Sequence, residues 1–504
     1  MQTGLEELFS EVSRIDLLSR EELVARYQLA LRELERAIRE LHLLKRQQVT
    51  EEQLHFLLQE KFQALRDELY GVSSERYKKP TDGIKKKREE VPPVPRPKLP
   101  SERYPNVPVK EVVVSQSPAP CCQQCGREME DSGLTEDSEQ LTVIPKKYEI
   151  LRYKRVKYRC QCQGCMVTAP APRRIIEGSS YSDEMILDVA ASKYCDLIPM
   201  DRYVQMASRG GLEGLPGHSL IELTHGLADF LEPVYKGIRE EVRGSRVLHA
   251  DETPHRMLEG SETKSWYLWG FSTPRSCYLE CRNTRSGDVA SDFLVSSRCE
   301  VLVTDVFSGY HKAIGQANRL RDIPIRNANC NAHARRYFFK ARDHYKEAFF
   351  YLDCYHEVYR LEEQIRGSPR EEVLRVREEK IRPLFERMRE RSADEVMRYP
   401  RGNRYGKAVN YFLENYAGLT VFLSDAEVPV DNNAQERLLR SHVVGRKTWY
   451  GTHSLRGAQT AAVLFSIVES CKLNKLNPRE YLSAVTQSIL AGQPAKTPAQ
   501  FATT

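Results

Sequence analysis

The segment RVLHADETPHRM, residues 246–257, holds a short apolar run that leads into Asp251. We interpret this run as a β-strand, because aliphatic and β-branched residues that end at polar residues are typical of strands. Two further strand-like segments follow, SWYLWGFST at 265–273 and CYLECRNTRSG at 277–287. Their short separation predicts that the three strands form an antiparallel meander.

A fourth apolar strand is predicted in CEVLVTDVFSGY, residues 299–310, and it ends on Asp305. Two separate strands therefore each deliver an aspartate at or near their C-terminal ends. An aspartate in this position is often only a turn or helix-capping residue. Three antiparallel strands followed by another strand and helices are, however, typical of an RNase H-like α/β core.

A third carboxylate of interest lies in VPVDNNAQERLLRSHVVGRKTWYG, residues 428–451. Here Glu436 is surrounded by cations, namely Arg437, Arg440, Arg446 and Lys447. One interpretation is structural: Asn433 and Glu436 form a capping box at a helix start, and Glu436 pairs with Arg440 one turn later. The other is functional: the acid binds a metal and its neighbours bind an anionic substrate. The two interpretations are compatible.

Three carboxylates from distant segments can together bind divalent cations. Carboxylate oxygens are the ligands that Mg²⁺ prefers, and such sites hold paired ions about 3.5–4 Å apart. We therefore predict that Asp251, Asp305 and Glu436 bind two Mg²⁺ or Mn²⁺ ions for phosphoryl transfer on a nucleic acid. This chemistry needs no covalent intermediate, and the sequence has no evident nucleophile motif.

The segment between Asp305 and Glu436 is rich in charge and follows a helical period. It predicts a helical insertion at about 335–400, and Arg335 and Arg336 at its start are further candidates for phosphate contact. Cys330 and His333 form a C-x-x-H pair that resembles half of a metal site. Because no second pair lies nearby, we favour a structural or supporting role for them.

The chain has 13 cysteines, and six of them lie between residues 121 and 165. Two C-x-x-C pairs there, with strand-like sequence between them, predict a zinc ribbon in which the metal stabilises a small module. The predicted Zn²⁺ ligands are Cys122, Cys125, Cys162 and Cys165, with Cys121 or Cys160 as possible substitutes. Four thiolates would leave no open position, so this zinc would be structural.

The rest of the chain completes a multidomain α+β prediction. An apolar heptad pattern within residues 20–70 predicts a coiled coil and self-association as a homodimer or higher oligomer.

The net charge of +6 is modest. The sequence contains no run of about eighteen apolar residues, so no membrane span is predicted. The N-terminus lacks a signal-peptide pattern, so we expect a cytoplasmic protein. The predicted regions are a helical coiled-coil region at 1–77, a Pro-rich basic linker at 78–120, the zinc module at 121–172, a helical DNA-binding region at 173–243, the catalytic domain at 244–485 and a flexible tail at 486–504.

Several motifs, in their order along the chain, resemble the DDE transposases of the insertion sequence 66 family. They are LYGVSSER, HADETP, LVTDVFSGY, CNAHARRYFF, VDNNAQERLLR, GRKTWYG and NPREYL. The resemblance implies an RNase H-like domain, Asp251, Asp305 and Glu436 as the metal-binding triad, and an upstream zinc module that recognises DNA. The chain departs from the family at Asn331, where tryptophan is usual, in the residues that follow Asp305, and in the extra cysteine of CQCQGC.

The resemblance also implies a function and its partners. We expect Mg²⁺-dependent DNA cleavage and strand transfer at the ends of an insertion sequence, with the terminal inverted repeats and a target DNA as substrates. Accessory proteins of the same element and association with the bacterial nucleoid are further expectations. The alternative is a catalytically silent, transposase-derived DNA-binding protein, against which the three intact acids argue.

Overall fold

The protein is described from a computed structural model, in which residues 99–113, 121, 124, 126–127, 138–144, 146–159, 166–258 and 265–503 are described. The predicted coiled coil within residues 20–70 lies outside this part of the chain. So do five of the six candidate zinc ligands, Cys122, Cys125, Cys160, Cys162 and Cys165, whereas Cys121 is described and exposed. None of the helices in the described ranges is long and apolar enough to span a membrane.

The described residues divide into two compact units, one within residues 73–151 and the other within residues 152–503. The described residues of the smaller unit are mostly exposed, and they include the one-turn helix α1 (Pro100–Arg103). Within α1, the amide and hydroxyl of Ser101 both donate hydrogen bonds to the Glu139 carboxylate at 2.8 Å. In the larger unit, β1 (Lys157–Arg159) pairs antiparallel with β2 (Met166–Thr168).

The larger unit is built around a five-stranded mixed sheet with the order β5-β4-β3-β6-β7. The first three strands along the chain form the predicted antiparallel meander, which is confirmed, and β6 and β7 add in parallel beside β3. The central strands are apolar and buried on both faces because helices cover both sides of the sheet. The strands are β3 (Val247–Arg256), β4 (Ser265–Ser272), β5 (Cys277–Arg282), β6 (Val301–Thr304) and β7 (Arg326–Asn329).

Helices precede, interrupt and follow this sheet. The predicted helical character of the region before the sheet is confirmed, and these helices pack against the C-terminal part of the same unit, for example through the ring contact between Tyr194 and Phe465. The helices outside the insertion are α2 (Asp183–Tyr194), α3 (Met200–Arg209), α4 (Gly217–Phe230), α5 (Glu232–Arg243), α6 (Gly287–Val295) and α7 (Ser308–Asn318), then, after the insertion, α14 (Asn433–Trp449), α15 (Leu455–Leu473), α16 (Pro478–Leu490) and α17 (Pro498–Phe501).

The predicted helical insertion lies between β7 and α14 and extends further than the predicted limit at about residue 400. Its helices are α8 (Asn331–Ala341), α9 (Ala348–Gln364), α10 (Arg370–Val376), α11 (Arg382–Glu395), α12 (Arg404–Glu414) and α13 (Tyr416–Leu419), with a π-helical turn at Arg377–Ile381 and a 3-10 turn at Val421–Ser424. Buried aromatic rings form much of its core, with Phe338 stacked on Tyr351 at 4.0 Å between ring centroids. Burial of such rings is a large apolar contribution to stability.

The two ends of the insertion meet at Asn331, which is fully buried. Its side-chain amide donates hydrogen bonds to the carbonyls of Leu419 at 2.9 Å and Val430 at 3.0 Å. Its backbone N–H also donates to Val430 at 3.2 Å, and the Tyr355 hydroxyl donates to its side-chain oxygen. The asparagine that departs from the family pattern is therefore a polar residue with its hydrogen bonds satisfied.

The C-terminal residues are packed, in contrast to the flexible tail that we expected from residue 486. Pro498 and Ala499 are buried, and the Phe501 ring lies edge-on to Tyr481 with centroids 5.4 Å apart. The Tyr481 hydroxyl donates to the carbonyl of Lys496 at 2.7 Å. These apolar contacts and hydrogen bonds hold the segment against the body of the unit.

Candidate functional site

Asp251 and Asp305 lie on neighbouring strands of the sheet. We expected the first strand to end at Asp251, but β3 continues to Arg256, so Asp251 lies in its middle and pairs with Gly270 of β4. On the other side, β3 and β6 are parallel with His249 opposite Val303. The pairing ends there, two residues before each aspartate, so Asp251 and Asp305 lie at the same end of the β3–β6 pair.

Both aspartates also stabilise their local backbone. Asp305 directly follows β6, and its Oδ1 accepts a hydrogen bond from the Phe307 amide at 3.0 Å, at the turn that enters α7. Oδ1 of Asp251 accepts from the Glu252 amide at 2.9 Å. The turn role that is common for aspartates is thus present at Asp305, and each of these bonds uses one of the two carboxylate oxygens.

Glu436 lies in the first turn of α14, but the predicted capping box is wrong. The helix begins at Asn433, so Asn432 is the N-cap and Glu436 is the fourth residue of the helix. The Asn433 side chain donates to Asp431 at 2.7 Å instead of capping the helix. Among the ion pairs of the described residues, Glu436 is joined to His333 at 3.7 Å and none joins it to Arg440.

Asn432 connects the start of α14 to the sheet, and it is only 1 % exposed. Its side-chain NH₂ donates to the carbonyl of Ala250 at 2.9 Å, and its Oδ1 lies 2.7 Å from Nδ1 of His249. Its backbone N–H donates to Sγ of Cys330 at 3.2 Å. These contacts join the helix carrying Glu436 to the strand carrying Asp251, and sequence reasoning missed them.

Gly270 allows α14 to approach the sheet closely. A Cβ atom at this position would collide with the side-chain nitrogen of Gln435 and lie 3.3 Å from Cδ2 of Leu439. Both are buried α14 residues next to Glu436 or one turn after it, and Gly270 is the register partner of Asp251. The missing side chain therefore brings the helix and the aspartate strand together.

The acidic side chains are close enough to interact electrostatically. Burial, together with the negative charges of Glu252, Asp305 and Glu436, raises the pKa of Asp251 to about 8. A bound cation would remove this repulsion. The three predicted acids, which we call the acidic cluster, therefore interact electrostatically and offer the oxygen ligands that a divalent cation prefers, but within the described ranges Asp251 and Asp305 do not belong to a group of three candidate ligand atoms that lie within 4.8 Å of one another.

Glu252, next to Asp251, has a different environment. Its carboxylate accepts a hydrogen bond from the Arg285 guanidinium at 2.8 Å and another from the Tyr310 hydroxyl at 2.6 Å. Arg285 in turn lies over the Phe307 ring at 4.1 Å from its centroid. With both of its oxygens engaged, Glu252 is a supporting residue that links three segments around the acidic cluster.

The predicted phosphate-binding cations fall into different environments. Arg437, Arg440 and Lys447 are exposed on α14, and their spacing places them along one face of the helix. Arg446 is half-buried, and burial lowers its pKa. Arg335 and Arg336 are half-buried on α8. The exposed stripe on α14 therefore extends away from Glu436 along the helix.

In the structure a third candidate metal ligand lies beside Cys330 and His333, and sequence reasoning did not find it. Possible metal-ligating atoms of Cys330, His333 and Glu436 all lie within 4.8 Å of one another. Cys330 immediately precedes α8 and His333 is in its first turn. The partner of the C-x-x-H pair is thus a residue of another helix, more than one hundred positions later, which local spacing could not reveal.

Comparison with known proteins identifies a related family. A family model described as Transposase IS66 family matches residues 178–460. The uncharacterized protein y4hP of Sinorhizobium fredii is 28% identical over 404 residues, covering 75% of this chain and 72% of that protein. The uncharacterized protein y4jD of the same organism is 28% identical over 397 residues, covering 75% of this chain and 76% of that protein.

Proposed function

Because the chain belongs to the Transposase IS66 family, we propose that it is a metal-dependent DNA transposase with Asp251, Asp305 and Glu436 as its catalytic carboxylates. The observation that supports this proposal is the electrostatic interaction of three acids that come from three different elements. One lies in β3, one directly follows the neighbouring strand β6, and one lies in the first turn of α14. The pKa of Asp251 responds to the charge of both other acids.

The sheet supports assignment to the RNase H-like class. Three antiparallel strands are followed by two parallel strands on the side of the first, with helices on both faces. The helical insertion lies between the second and third acids, as the family resemblance implies. We propose that residues 244–485 form the catalytic domain, and that the insertion belongs to it.

The acidic cluster fits the Mg²⁺ or Mn²⁺ ions that this chemistry requires, two in each active site. Its carboxylates are partly buried and repel one another, and the nearby Arg285 is engaged with Glu252. When bound, the ions would activate an attacking water or DNA 3′-hydroxyl and stabilise the leaving oxygen. Asp251, Asp305 and Glu436 would hold them, while Asn432 and Gly270 keep α14 at the right distance from β3.

The basic residues would position the DNA. Arg437, Arg440 and Lys447 form an exposed cationic stripe that begins next to Glu436, which suits contacts to a phosphate backbone. Arg335 and Arg336, on the helix that carries His333, are further candidates. Arg446 is partly buried, as are Arg335 and Arg336, so all three are weaker candidates than the exposed stripe.

The N-terminal part of the chain would supply DNA recognition and assembly. We propose a structural zinc module at 121–172, a helical DNA-binding region at 173–243 and oligomerisation through residues 1–77. The antiparallel pairing of β1 with β2 supports this module, because it places Arg159 and Met166, which flank the segment with Cys160, Cys162 and Cys165 in the sequence, opposite each other. Terminal inverted repeats, target DNA and accessory proteins of the element are the proposed partners, in the bacterial cytoplasm and at the nucleoid.

A strand-transfer assay tests the function. The full-length protein would be incubated with Mg²⁺ and duplex DNA carrying the terminal repeats that flank its gene. We expect Asp251→Asn, Asp305→Asn and Glu436→Gln each to abolish strand transfer while retaining DNA binding in a gel-shift assay. Asp322→Asn, which removes an exposed acid away from the cluster, is the matched control and should transfer normally.

The result also separates the active enzyme from a silent, DNA-binding derivative. Binding of the terminal repeats without any strand transfer by the wild-type protein would favour the silent derivative. Wild-type activity in all three acid variants would contradict the proposed active site.

A further inference from the structure

We propose that Cys330, His333 and Glu436 form a separate binding site for a borderline-soft divalent cation such as Zn²⁺, next to the acidic cluster. Cys330 and His333 are three residues apart at the start of α8, a spacing that places both side chains on one face of the first turn. Glu436 approaches from the first turn of α14. The three candidate ligand atoms lie within 4.8 Å of one another.

The distance between His333 and Glu436 suits a shared ion better than a hydrogen bond. Nδ1 of His333 and Oε1 of Glu436 are 3.7 Å apart, which exceeds the length of a normal hydrogen bond. Tetrahedral zinc has ligands at about 2.0–2.3 Å, so neighbouring ligand atoms are roughly 3.3–3.8 Å from each other. The observed separation falls in that interval.

The same two atoms are buried without a hydrogen-bond partner. Within the described part of the chain, His333 Nδ1 and Glu436 Oε1 are both inaccessible to solvent and both unsatisfied. Buried polar atoms normally have partners, so two that face each other need an explanation. A cation between them would satisfy both. The side chains as a whole are 28% and 30% exposed, which gives an ion a route to the site.

The thiol completes the set of ligands. Cys330 is fully buried, and its Sγ accepts a hydrogen bond from the Asn432 amide at 3.2 Å, which helps to orient it. On metal binding the thiol would lose its proton to solvent and coordinate as the thiolate. Thiolate and imidazole ligands select Zn²⁺ over Mg²⁺, which prefers oxygen alone. Three protein ligands leave a fourth position open for water or a phosphate oxygen.

This site shares Glu436 with the proposed active site, but its occupancy does not depend on strand transfer. A carboxylate has two oxygens, so one can face His333 while the other serves the acidic cluster. An ion held by Cys330 and His333 would fix the orientation of the Glu436 side chain. The inference therefore adds a metal of a different class to the Mg²⁺ or Mn²⁺ ions of the proposed function.

The test measures bound zinc in the full-length protein without DNA. After dialysis against a weak chelator, the zinc content per chain would be determined by atomic emission. The test variants are Cys330→Ser and His333→Asn, and because His333 is partly exposed its replacement should leave the fold intact. The matched controls are Cys354→Ser, a buried thiol of the helical insertion, and His356→Asn, an exposed histidine.

We expect both test variants to bind one zinc ion fewer per chain than the wild type and both controls. Any zinc in the predicted C-x-x-C module contributes equally to all five proteins, so it cancels in the difference. Substitution with Co²⁺ should give a thiolate charge-transfer absorption that decreases in Cys330→Ser but not in Cys354→Ser. Equal zinc content in the wild type, Cys330→Ser and His333→Asn overturns the site, even if Asp251→Asn abolishes strand transfer. Loss of one ion supports it, even if Asp251→Asn remains active.

Discussion

Replacement of Asn432 by alanine should weaken the attachment of α14 to the sheet. The variant loses both side-chain hydrogen bonds, to the Ala250 carbonyl at 2.9 Å and to Nδ1 of His249 at 2.7 Å. The two groups left behind are buried, since Ala250 is fully buried and His249 is only 7% exposed. An unpaired buried polar group costs about 1–3 kcal/mol, so with partial relaxation the free energy of unfolding should fall by about 2–4 kcal/mol.

Urea unfolding followed by tryptophan emission measures this loss. The chain has 3 tryptophans, two in β4 and one in α14, so the signal reports on the sheet and on the helix that Asn432 joins to it. Asn433→Ala is the control, because Asn433 is half-buried and its side chain bonds to Asp431 within the same turn. We expect it to cost about 1 kcal/mol or less.

The reasoning is refuted if Asn432→Ala and Asn433→Ala differ by less than about 0.5 kcal/mol, which is within the variation of ordinary surface substitutions. A second readout is Mg²⁺-dependent strand transfer. Asn432→Ala should transfer more slowly than Asn433→Ala at a temperature where both are folded, because Glu436 is then less firmly held beside Asp251.

Three further predictions concern the sheet, a salt bridge and the metal cluster. Gly270→Ala should lower the free energy of unfolding by about 1–3 kcal/mol through overpacking against Gln435, whereas Gly315→Ala, on a helix with open space, should be neutral or stabilising in the same urea experiment. Hydrogen bonds from Arg246 lower the pKa of Asp425 in the folded protein. The stabilisation that the Asp425 carboxylate contributes is therefore complete above the unfolded-state pKa of about 3.9. It is lost as the pH falls through the lower pKa of the folded state. Asp425→Asn should therefore reduce Tm at pH 7, and thermal melts should show this difference shrinking in strong acid; a constant difference down to pH 2 would contradict the assignment. Millimolar Mg²⁺ should raise the Tm of the wild type by binding the folded state, and Asp251→Asn should show a smaller rise in scanning calorimetry; an identical rise would place the bound Mg²⁺ elsewhere.

Local sequence patterns were sufficient for the meander and for the strands that carry or precede the two aspartates. The apolar runs before Asp251 and Asp305 correspond to β3 and β6, and the helical period after β7 corresponds to the insertion. The extent of β3 was underestimated, because Glu252, Thr253 and His255 are polar but buried in tertiary contacts. Strand limits depend on what covers the strand, which local polarity does not reveal.

Contacts between segments that are far apart in the sequence could not be predicted from local patterns. Asn432 and Ala250 are 182 positions apart, and no pattern near Asn432 distinguishes it from its neighbour Asn433. The pattern Asn433-x-x-Glu436 predicted a capping box, but the helix starts at Asn433, one residue too early for it, and the side chain of the N-cap residue Asn432 bonds to the sheet. Similarly, the third member of the Cys330 and His333 group became visible only when α8 and α14 were placed side by side.

The hydrogen bonds of Asn331 to Val430 have a consequence for how this architecture can vary. The polypeptide leaves the sheet after β7 and returns to almost the same point 99 positions later, with the closure made by one buried amide. The core of this excursion also includes sheet residues such as Val301 and Val303, so we expect changes of length at its far end to leave Asp305 and Glu436 in place. A shortened chain that keeps Asn331 and Val430 in contact would retain the acidic cluster, which makes this excursion a natural place for related proteins to differ in size.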